Sequence, residues 1–341
     1  MAISAATLAA QADVASKWND EGLRAAAHAD YASAERWYGA ALAKWRELGS
    51  AYSAHAAATL TNLGEILCNQ GRLSEGTQAL EEALELHRRA LGENHAHTVR
   101  NLSLLGQAYV LAGDTGRAET VLAGALATER ELYPGDEMLG QTLLAMASLR
   151  RVQGKLDEAL QFGEEALAES VRAGGELSTS AAMAYENVAV IHRLAGRPER
   201  ALPLFRKARF LYQRTVGAQS PVFQSLLSEE GLALLDEGDL ILSEQDLLQA
   251  VNGLAKLGPS CDDRRAIAET NLGLVRLRQR KLGEAERLLT DALSIEERLP
   301  SRPVLDMAAT LGVLAQLRKA QRRDAESAQL TSRAAAIQTD H

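Results

Sequence analysis

The chain of 341 residues has few aromatics, 4% of its composition, and only two cysteines, Cys68 and Cys261. So few aromatics beside abundant alanine and leucine weigh against a β-sandwich core and favour close helical packing. Two widely separated thiols leave no disulfide framework and suit a reducing compartment. There is no excess of basic charge: the formal net charge is −8, so the footprint of a general nucleic-acid binder is missing, although local patches stay open. No apolar run approaches the roughly 20 residues that span a bilayer. The opening MAISAATLAAQADVAS has no basic region and meets Asp13 early, so it reads as the start of a helix and a cytoplasmic location is expected. A Walker loop, a dinucleotide glycine fingerprint, GxSxG and CxxC are all missing, and the expectation is a non-enzymatic protein without cofactor or metal.

What the sequence does hold is repetition. From Asn101 to Leu132, Leu102, Leu105, Gly106 and Tyr109 draw one apolar stripe at helical spacing. Gly113-Asp114 breaks the pattern, and Ala118, Val121, Leu122, Ala125 and Leu126 draw a second stripe. The small residue of the first stripe returns as Gly22, Gly64, Gly106, Ala147, Ala189, Gly231, Gly273 and Ala315, at steps of 42 residues with one step of 41. The second helix answers with Ala34, Gly76, Ala118, Ala159, Ala201, Ser243, Ala285 and Ser327, and then with Ala41, Ala83, Ala125, Ala166, Ala208, Ala250, Ala292 and Ala334. Turn glycines stand at 71, 113, 154, 196 and 238, replaced by Ala29, Arg280 and Arg322 in the first and last two units. The units themselves are joined by pairs such as Leu91-Gly92, Pro134-Gly135 and Leu299-Pro300. One hairpin cannot bury its stripe alone, so the expected fold is all-α: a right-handed superhelical α-solenoid of about eight helix-turn-helix repeats and about sixteen helices. A single array over 1–341 is expected, with repeats at roughly 13–48, 55–91, 97–133, 138–173, 180–216, 222–257, 264–299 and 306–337. Gly163, Ser243, Arg280 and the final unit depart from the pattern, and looser packing is expected there.

The order of small residue, aromatic or leucine, turn glycine, alanine, bulky residue and alanine resembles the tetratricopeptide repeat. The first unit comes nearest to the 34-residue form, with Trp18, Gly22, Tyr31, Ala34, Tyr38 and Ala41. The 42-residue period, with connections such as Arg89 to Gly106, resembles the kinesin light chain type, in which the second helix is about two turns longer. The resemblance implies a protein-interaction scaffold whose first helices line an inner groove that receives peptides or helices.

On that first-helix face, Asn62, Asn187 and Asn271 recur at one place, and asparagine is a mediocre helix former. Two readings stay open: amides that pair with a peptide backbone, or amides that bridge adjacent repeats or face water. Asn69, Arg100 and Gln107 complete the polar candidates of the second and third units, while Leu104, Leu144 and Leu232 are the apolar ones. Arg151, Arg193, Arg278 and Lys319 fall near first-helix ends, thickened by Arg276, Arg280, Lys281, Arg318, Arg322 and Arg323. They read either as a ridge for an acidic or carboxylate-bearing protein segment or as ordinary cations at helix C-termini.

The remaining motifs read as structure. His95 and His97 form an HxH in a connecting loop, Cys68 is a small buried or half-buried thiol, and Glu81-Glu82, Glu164-Glu165 and Glu296-Glu297 suggest a solvated convex face. Trp18, Trp37 and Trp45 cluster in the first unit, as a partner hot spot or as a cap on the open end. Leu330, Ala334 and Ile337 leave an apolar edge at the other end, which points to a homodimer contact or to a longer chain. The main alternative to a scaffold is a ligand- or peptide-gated regulator acting on a separate effector, and a third possibility is an enzyme accessory subunit.

Overall fold

The computed structural model describes residues 5–28, 30–299 and 304–339. Ala29 and Pro300, placed above in a turn and a connection, lie outside them. Among the described residues there are sixteen α-helices, two short 3-10 turns and no strand.

Packing divides the chain, read above as one array, into two compact units, Met1–Gly154 and Lys155–His341. The first holds α1 (Ala5–Ala27), α2 (Tyr31–Leu48), α3 (Ser53–Asn69), α4 (Leu73–Leu91), α5 (Ala96–Leu111), α6 (Thr115–Leu132) and α7 (Glu137–Val152). The second holds α8 (Leu156–Gly174), α9 (Thr179–Leu194), α10 (Pro198–Thr215), α11 (Pro221–Glu237), α12 (Leu240–Leu257), α13 (Asp262–Arg278), α14 (Leu282–Arg298), α15 (Val304–Ala320) and α16 (Asp324–Thr339). Within each unit every helix packs on the next in sequence, and successive first helices also touch, as α3 on α5 and α11 on α13. Each repeat therefore buries its apolar stripe only with the help of its neighbours.

Side chains fix where the helices start. Asp30, Asp114 and Asp239 accept backbone N–H bonds at the heads of α2, α6 and α12, and Ser178, Ser220 and Asp136 do the same for α9, α11 and α7. Left-handed backbone ends the hairpin turns: Gly113 sits at φ 78° and Gly238 at φ 94°. Arg280 (φ 63°) and Arg322 (φ 61°) take the same conformation without a glycine. Close approach is built on the small residues. A Cβ added to Gly64, Gly106, Gly231 or Gly273 would lie 2.4–2.8 Å from the leucine sixteen positions on, respectively Leu80, Leu122, Leu247 and Leu289. In the first hairpin Tyr38 fills that place over Gly22.

The expected looseness is not found at two departures. Ser243 is fully buried, and its Oγ donates to the Gly231 carbonyl at 2.6 Å, so the hydroxyl is satisfied by the close helix. Gly163 is covered by Val188 and Ile191 of α9, which would stand 3.2 and 3.4 Å from an added Cβ. At the last hairpin Ser327 Oγ donates to the Ala315 carbonyl at 2.8 Å. Leu330 packs in part against the cluster that holds Leu314 and Leu317, and Ala334 and Ile337 are half-buried on α16.

One position of the second helix faces the seam with the next repeat and is buried wherever it is described. Following the repeat spacing, Trp45, His87, Glu129, Ser170, Tyr212, Leu254 and Glu296 occupy it. Trp45 stacks on Tyr52 and Trp18 packs on the same cluster, so these two tryptophans serve the core, while Trp37 is half exposed. Glu296 corrects the reading of the glutamate pairs as solvated, because it is 1% exposed and lies in the seam.

Replacing Gly106 with alanine is expected to destabilise by about 1–3 kcal/mol, because Leu122 must move. Gly124→Ala, in the exposed middle of α6 with nothing within 4 Å, is expected to stabilise by about 0.5–1 kcal/mol. Arg280→Gly is expected to stabilise by about 0.5–1 kcal/mol through relief of the left-handed residue. Denaturant midpoints of the three variants test the set.

Candidate functional site

The candidate face belongs to the first helices of the repeats. On the first unit it carries Asn62 and Asn69 of α3, Arg100, Leu104 and Gln107 of α5, and Leu144 and Arg151 of α7. On the second unit it carries Asn187 and Arg193 of α9, Leu232 of α11, Asn271 and Arg278 of α13, and Lys319 of α15. Asn69, Arg100, Gln107, Arg278 and Lys319 are exposed, while the other polar positions and the three leucines are half-buried.

Two of the three asparagines bridge adjacent repeats. Asn62 Nδ2 donates to Asn19 Oδ1 at 3.4 Å, and Asn271 Nδ2 donates to Ser228 Oγ at 2.9 Å, so these two amides bridge to the preceding first helix. Each keeps Oδ1 as an unused acceptor. Asn187 is reversed: its Oδ1 is buried without a partner and lies toward Gly163, which leaves Nδ2 to face outward. Every one of the three therefore retains one side of its amide for an external hydrogen bond.

The basic row is smaller than expected. Arg193 is held by Glu229 at 3.2 Å and Asp236 at 3.6 Å, and Arg151 is already engaged within the protein. Arg100 faces Glu65 at 3.7 Å. Arg276 and Arg318 are not groove residues at all. Each is a clip between repeats: Arg276 Nη1 meets Glu244 Oε1 at 2.6 Å and Gln279 Oε1 at 3.0 Å, and Arg318 Nη1 meets Glu286 Oε1 at 2.7 Å and Gln321 Oε1 at 2.8 Å. Gln321 Nε2 closes its triangle on Glu286 at 2.9 Å, and Gln279 closes the other on Glu244. Arg150, Glu119 and Gln153 form the same clip in the first unit. Hydrogen bonds from Gln279 and Arg276 hold the Glu244 carboxyl below its usual range, and Gln321 and Arg318 do so for Glu286. Arg278 and Lys319 remain as exposed cations with no ion pair among the described residues.

An acidic set on the second unit was missed from sequence, because its members fall at unrelated places in their repeats. Burial, together with Asp263 and Glu229, raises Asp306 to about 6. Burial raises Glu186 to about 7, against the hydrogen bond donated by the Tyr212 hydroxyl at 2.8 Å. The local potential is therefore mixed.

His95 caps α5 by accepting the His97 amide, the rings of His87, His95 and His97 stack, and no metal-ligating cluster of three exists among the described residues. Burial pushes the Cys68 thiol up to about 11, which keeps it un-ionised and inert at neutral pH. No helix among the described residues is long and apolar enough to cross a membrane.

Residues 55–130 and 139–214 match the family model of the tetratricopeptide repeat. These two stretches are tetratricopeptide repeats. Comparison with curated protein sequences finds no match. Among solved structures, the chain is similar to a Rap protein complexed with Competence and Sporulation Factor, at 14% identity and a TM-score of 0.73 over 90% of this chain and 80% of that one. It is also similar to the Rap conjugation gene regulator of plasmid pLS20 in complex with the Phr* peptide, at 15% identity and a TM-score of 0.70 over 97% and 95% of the two chains. At these identities the likeness is one of fold. The TPR-like repeats of a putative kinesin light chain from Podosopora anserina match at 17% identity and a TM-score of 0.46, over 60% of this chain and 98% of that one.

Arg276→Ala is expected to destabilise by about 1–3 kcal/mol, because it leaves Glu244 with only Gln279 and the more distant Lys281 in a half-closed seam. Arg278→Ala is expected to be within about 0.5 kcal/mol of neutral. The Arg276 deficit should shrink on acidification: Glu244 has a depressed folded pKa, so its contribution is present above the unfolded carboxyl range and is lost as pH falls through the folded value. Denaturation of both variants at pH 7 and pH 3 measures this.

Proposed function

We propose that this protein is a non-enzymatic scaffold that receives a peptide or an extended protein segment on the first-helix face of its repeats. The observation that carries the reading is the asparagine set, in which Asn62, Asn187 and Asn271 each keep one amide atom uncommitted on a half-buried surface. An extended backbone offers matching N–H and C=O groups at regular spacing. Leu104, Leu144 and Leu232 supply apolar contact between those polar points. The fold supports the reading, since solved structures with the same fold hold the Competence and Sporulation Factor and the Phr* peptide.

The charge preference of the partner is narrower than a full basic ridge. A carboxylate-bearing segment would meet Arg278 and Lys319, exposed on successive first helices of the second unit, with Asn271 beside them. Asn69, Arg100 and Gln107 would serve the first unit, with Arg100 partly committed to Glu65, and Arg151 and Arg193 would orient neighbours instead of meeting ligand directly.

A peptide-gated regulator is the second reading, favoured by the fold shared with a conjugation gene regulator that carries its peptide. Here occupancy of the face would change the spacing of the first helices and expose or hide a separate effector site.

Selection of binders from a displayed peptide library supplies the probe. The Asn187→Ala/Asn271→Ala double variant is expected to bind a selected peptide at least tenfold more weakly, with stability lowered only by the lost Asn271–Ser228 bond, on the order of 1 kcal/mol. Arg278→Glu/Lys319→Glu is expected to weaken a peptide with a free carboxylate more than its amidated form. Affinity unchanged in the double asparagine variant overturns the site, and unchanged X-ray scattering on peptide binding overturns the gated reading.

A further inference from the structure

Two of the repeat seams contain the same unusual arrangement, four repeats apart. In the first, Glu129 of α6 is fully buried, and its Oε1 accepts from Ser103 Oγ of α5 at 3.1 Å and from Thr142 Oγ1 of α7 at 2.8 Å. The two hydroxyls are themselves 2.7 Å apart. In the second, Glu296 Oε1 of α14 accepts from Thr310 Oγ1 of α15 at 2.8 Å, and Thr310 Oγ1 lies 2.8 Å from Thr270 Oγ1 of α13. Residues 103, 129 and 142 map onto 270, 296 and 310 by the repeat spacing, so the arrangement is the same one built twice. In both seams Oε2 is buried with no partner.

These carboxyls are not needed to build a seam. Leu254 occupies the equivalent place between α12 and α13 and is completely buried there, and Trp45 and Tyr212 fill it elsewhere. A buried carboxylate without a cation is costly, so the glutamates are a standing electrostatic liability where a leucine fits. The charged groups that bear on Glu129 come down to Asp136, ahead of α7, since α5 and α7 otherwise offer it hydroxyls. Glu296 is faced by Asp306 on α15 and adjoins Glu297, whose partner is Arg333 of α16. All of these neighbouring carboxylates oppose ionisation.

The seams can also hold the neutral acid. With the proton on Oε1, the carboxyl donates to the threonine hydroxyl, and that hydroxyl turns its own proton to a waiting backbone carbonyl. Thr142 Oγ1 has the Met138 carbonyl at 3.2 Å, and Thr310 Oγ1 has the Asp306 carbonyl at 3.1 Å. Each site therefore has a complete hydrogen-bond route for the protonated form, and leaves only Oε2 unmet as an acceptor. The ionised form keeps its hydroxyl donors, two at Glu129 and one at Glu296, but has a buried, unpartnered second oxygen.

We propose that the Glu129 and Glu296 seams are proton-operated joints, closed while the carboxyl is neutral and opened to water when it ionises. The sign follows from the burial that pushes both groups up to about 7. Between the ordinary carboxyl range and that value the folded chain holds protons the unfolded chain has released, so stability is greatest at the acid end and falls as pH rises through about 7. His87, at the same place in the α4–α5 seam with both ring nitrogens unpartnered, does not counteract this, because burial keeps it neutral down to about 4.

Amide hydrogen exchange of the full chain at pH 6 and pH 8, corrected for the intrinsic pH dependence of exchange, tests the joints. Amides of α5, α6 and α7 and of α13, α14 and α15 are expected to lose protection roughly tenfold or more relative to those of α11 and α12. Glu129→Gln, a permanently neutral mimic, is expected to remove the loss in the first unit and leave it in the second, and Glu296→Gln to do the reverse. Carbon-13 carboxyl shifts of the unmutated protein provide a readout that needs no variant. Flat protection across the two pH values, glutamine variants that keep the loss, or carboxyls that titrate in the ordinary range would each overturn the proposal.

Discussion

The structure depends on how closely two helices of one hairpin can approach. Gly64, Gly106, Gly231 and Gly273 leave a gap that the leucine sixteen positions later enters, with less space than a single Cβ would require. That contact sets the separation of the two helices and so the volume left for everything in the seam. Because the packing is dense, a small residue here acts as a dimension of the fold and not merely as a tolerated substitution. Ser243 and Ser327 show the same constraint from the other side: the helices are close enough for a serine hydroxyl to reach a backbone carbonyl of the partner helix.

With spacing settled by the hairpin, adjacent repeats are joined by two kinds of polar contact with opposite character. Near the turn end of the first helix the arginine, glutamate and glutamine clips are complete, with opposite charges meeting and spare atoms satisfied. In the middle of the seam Glu129 and Glu296 are incomplete, with hydroxyls but no cation. A closed ion pair at the rim keeps neighbours in register, whereas an unpaired carboxyl deeper in the seam makes their contact conditional. Both kinds recur by the repeat spacing, so each is a property of the repeat, modified unit by unit.

The fold was legible because its signals are periodic. The eight small residues, the alanines of the second helix and the turn glycines all lie on one ruler, and each landed where the ruler put it among the described residues. The candidate face was legible in position only. Asn62, Asn187 and Asn271 occupy one place on their helices, but which amide atom is already used depends on Asn19, Ser228 and Gly163 in other elements. Arg276 and Arg318 look from sequence like part of a basic ridge, because their partners lie 32 residues before them, across a repeat boundary. Glu296 looked solvated because a charged pair on a helix usually is, and only the neighbouring α15 reveals that the second member of the pair is enclosed.

Arg280 and Arg322 share a left-handed backbone with the glycines they replace, and the consequence reaches beyond the two turns. In a linear array, stability is a sum of local repeat terms and neighbour terms, so melting begins where the local terms are poorest. The two hairpins that hold their turns with arginine follow one another at the C-terminal side of the second unit. That end is therefore expected to open first, which gives the second unit a direction of unfolding.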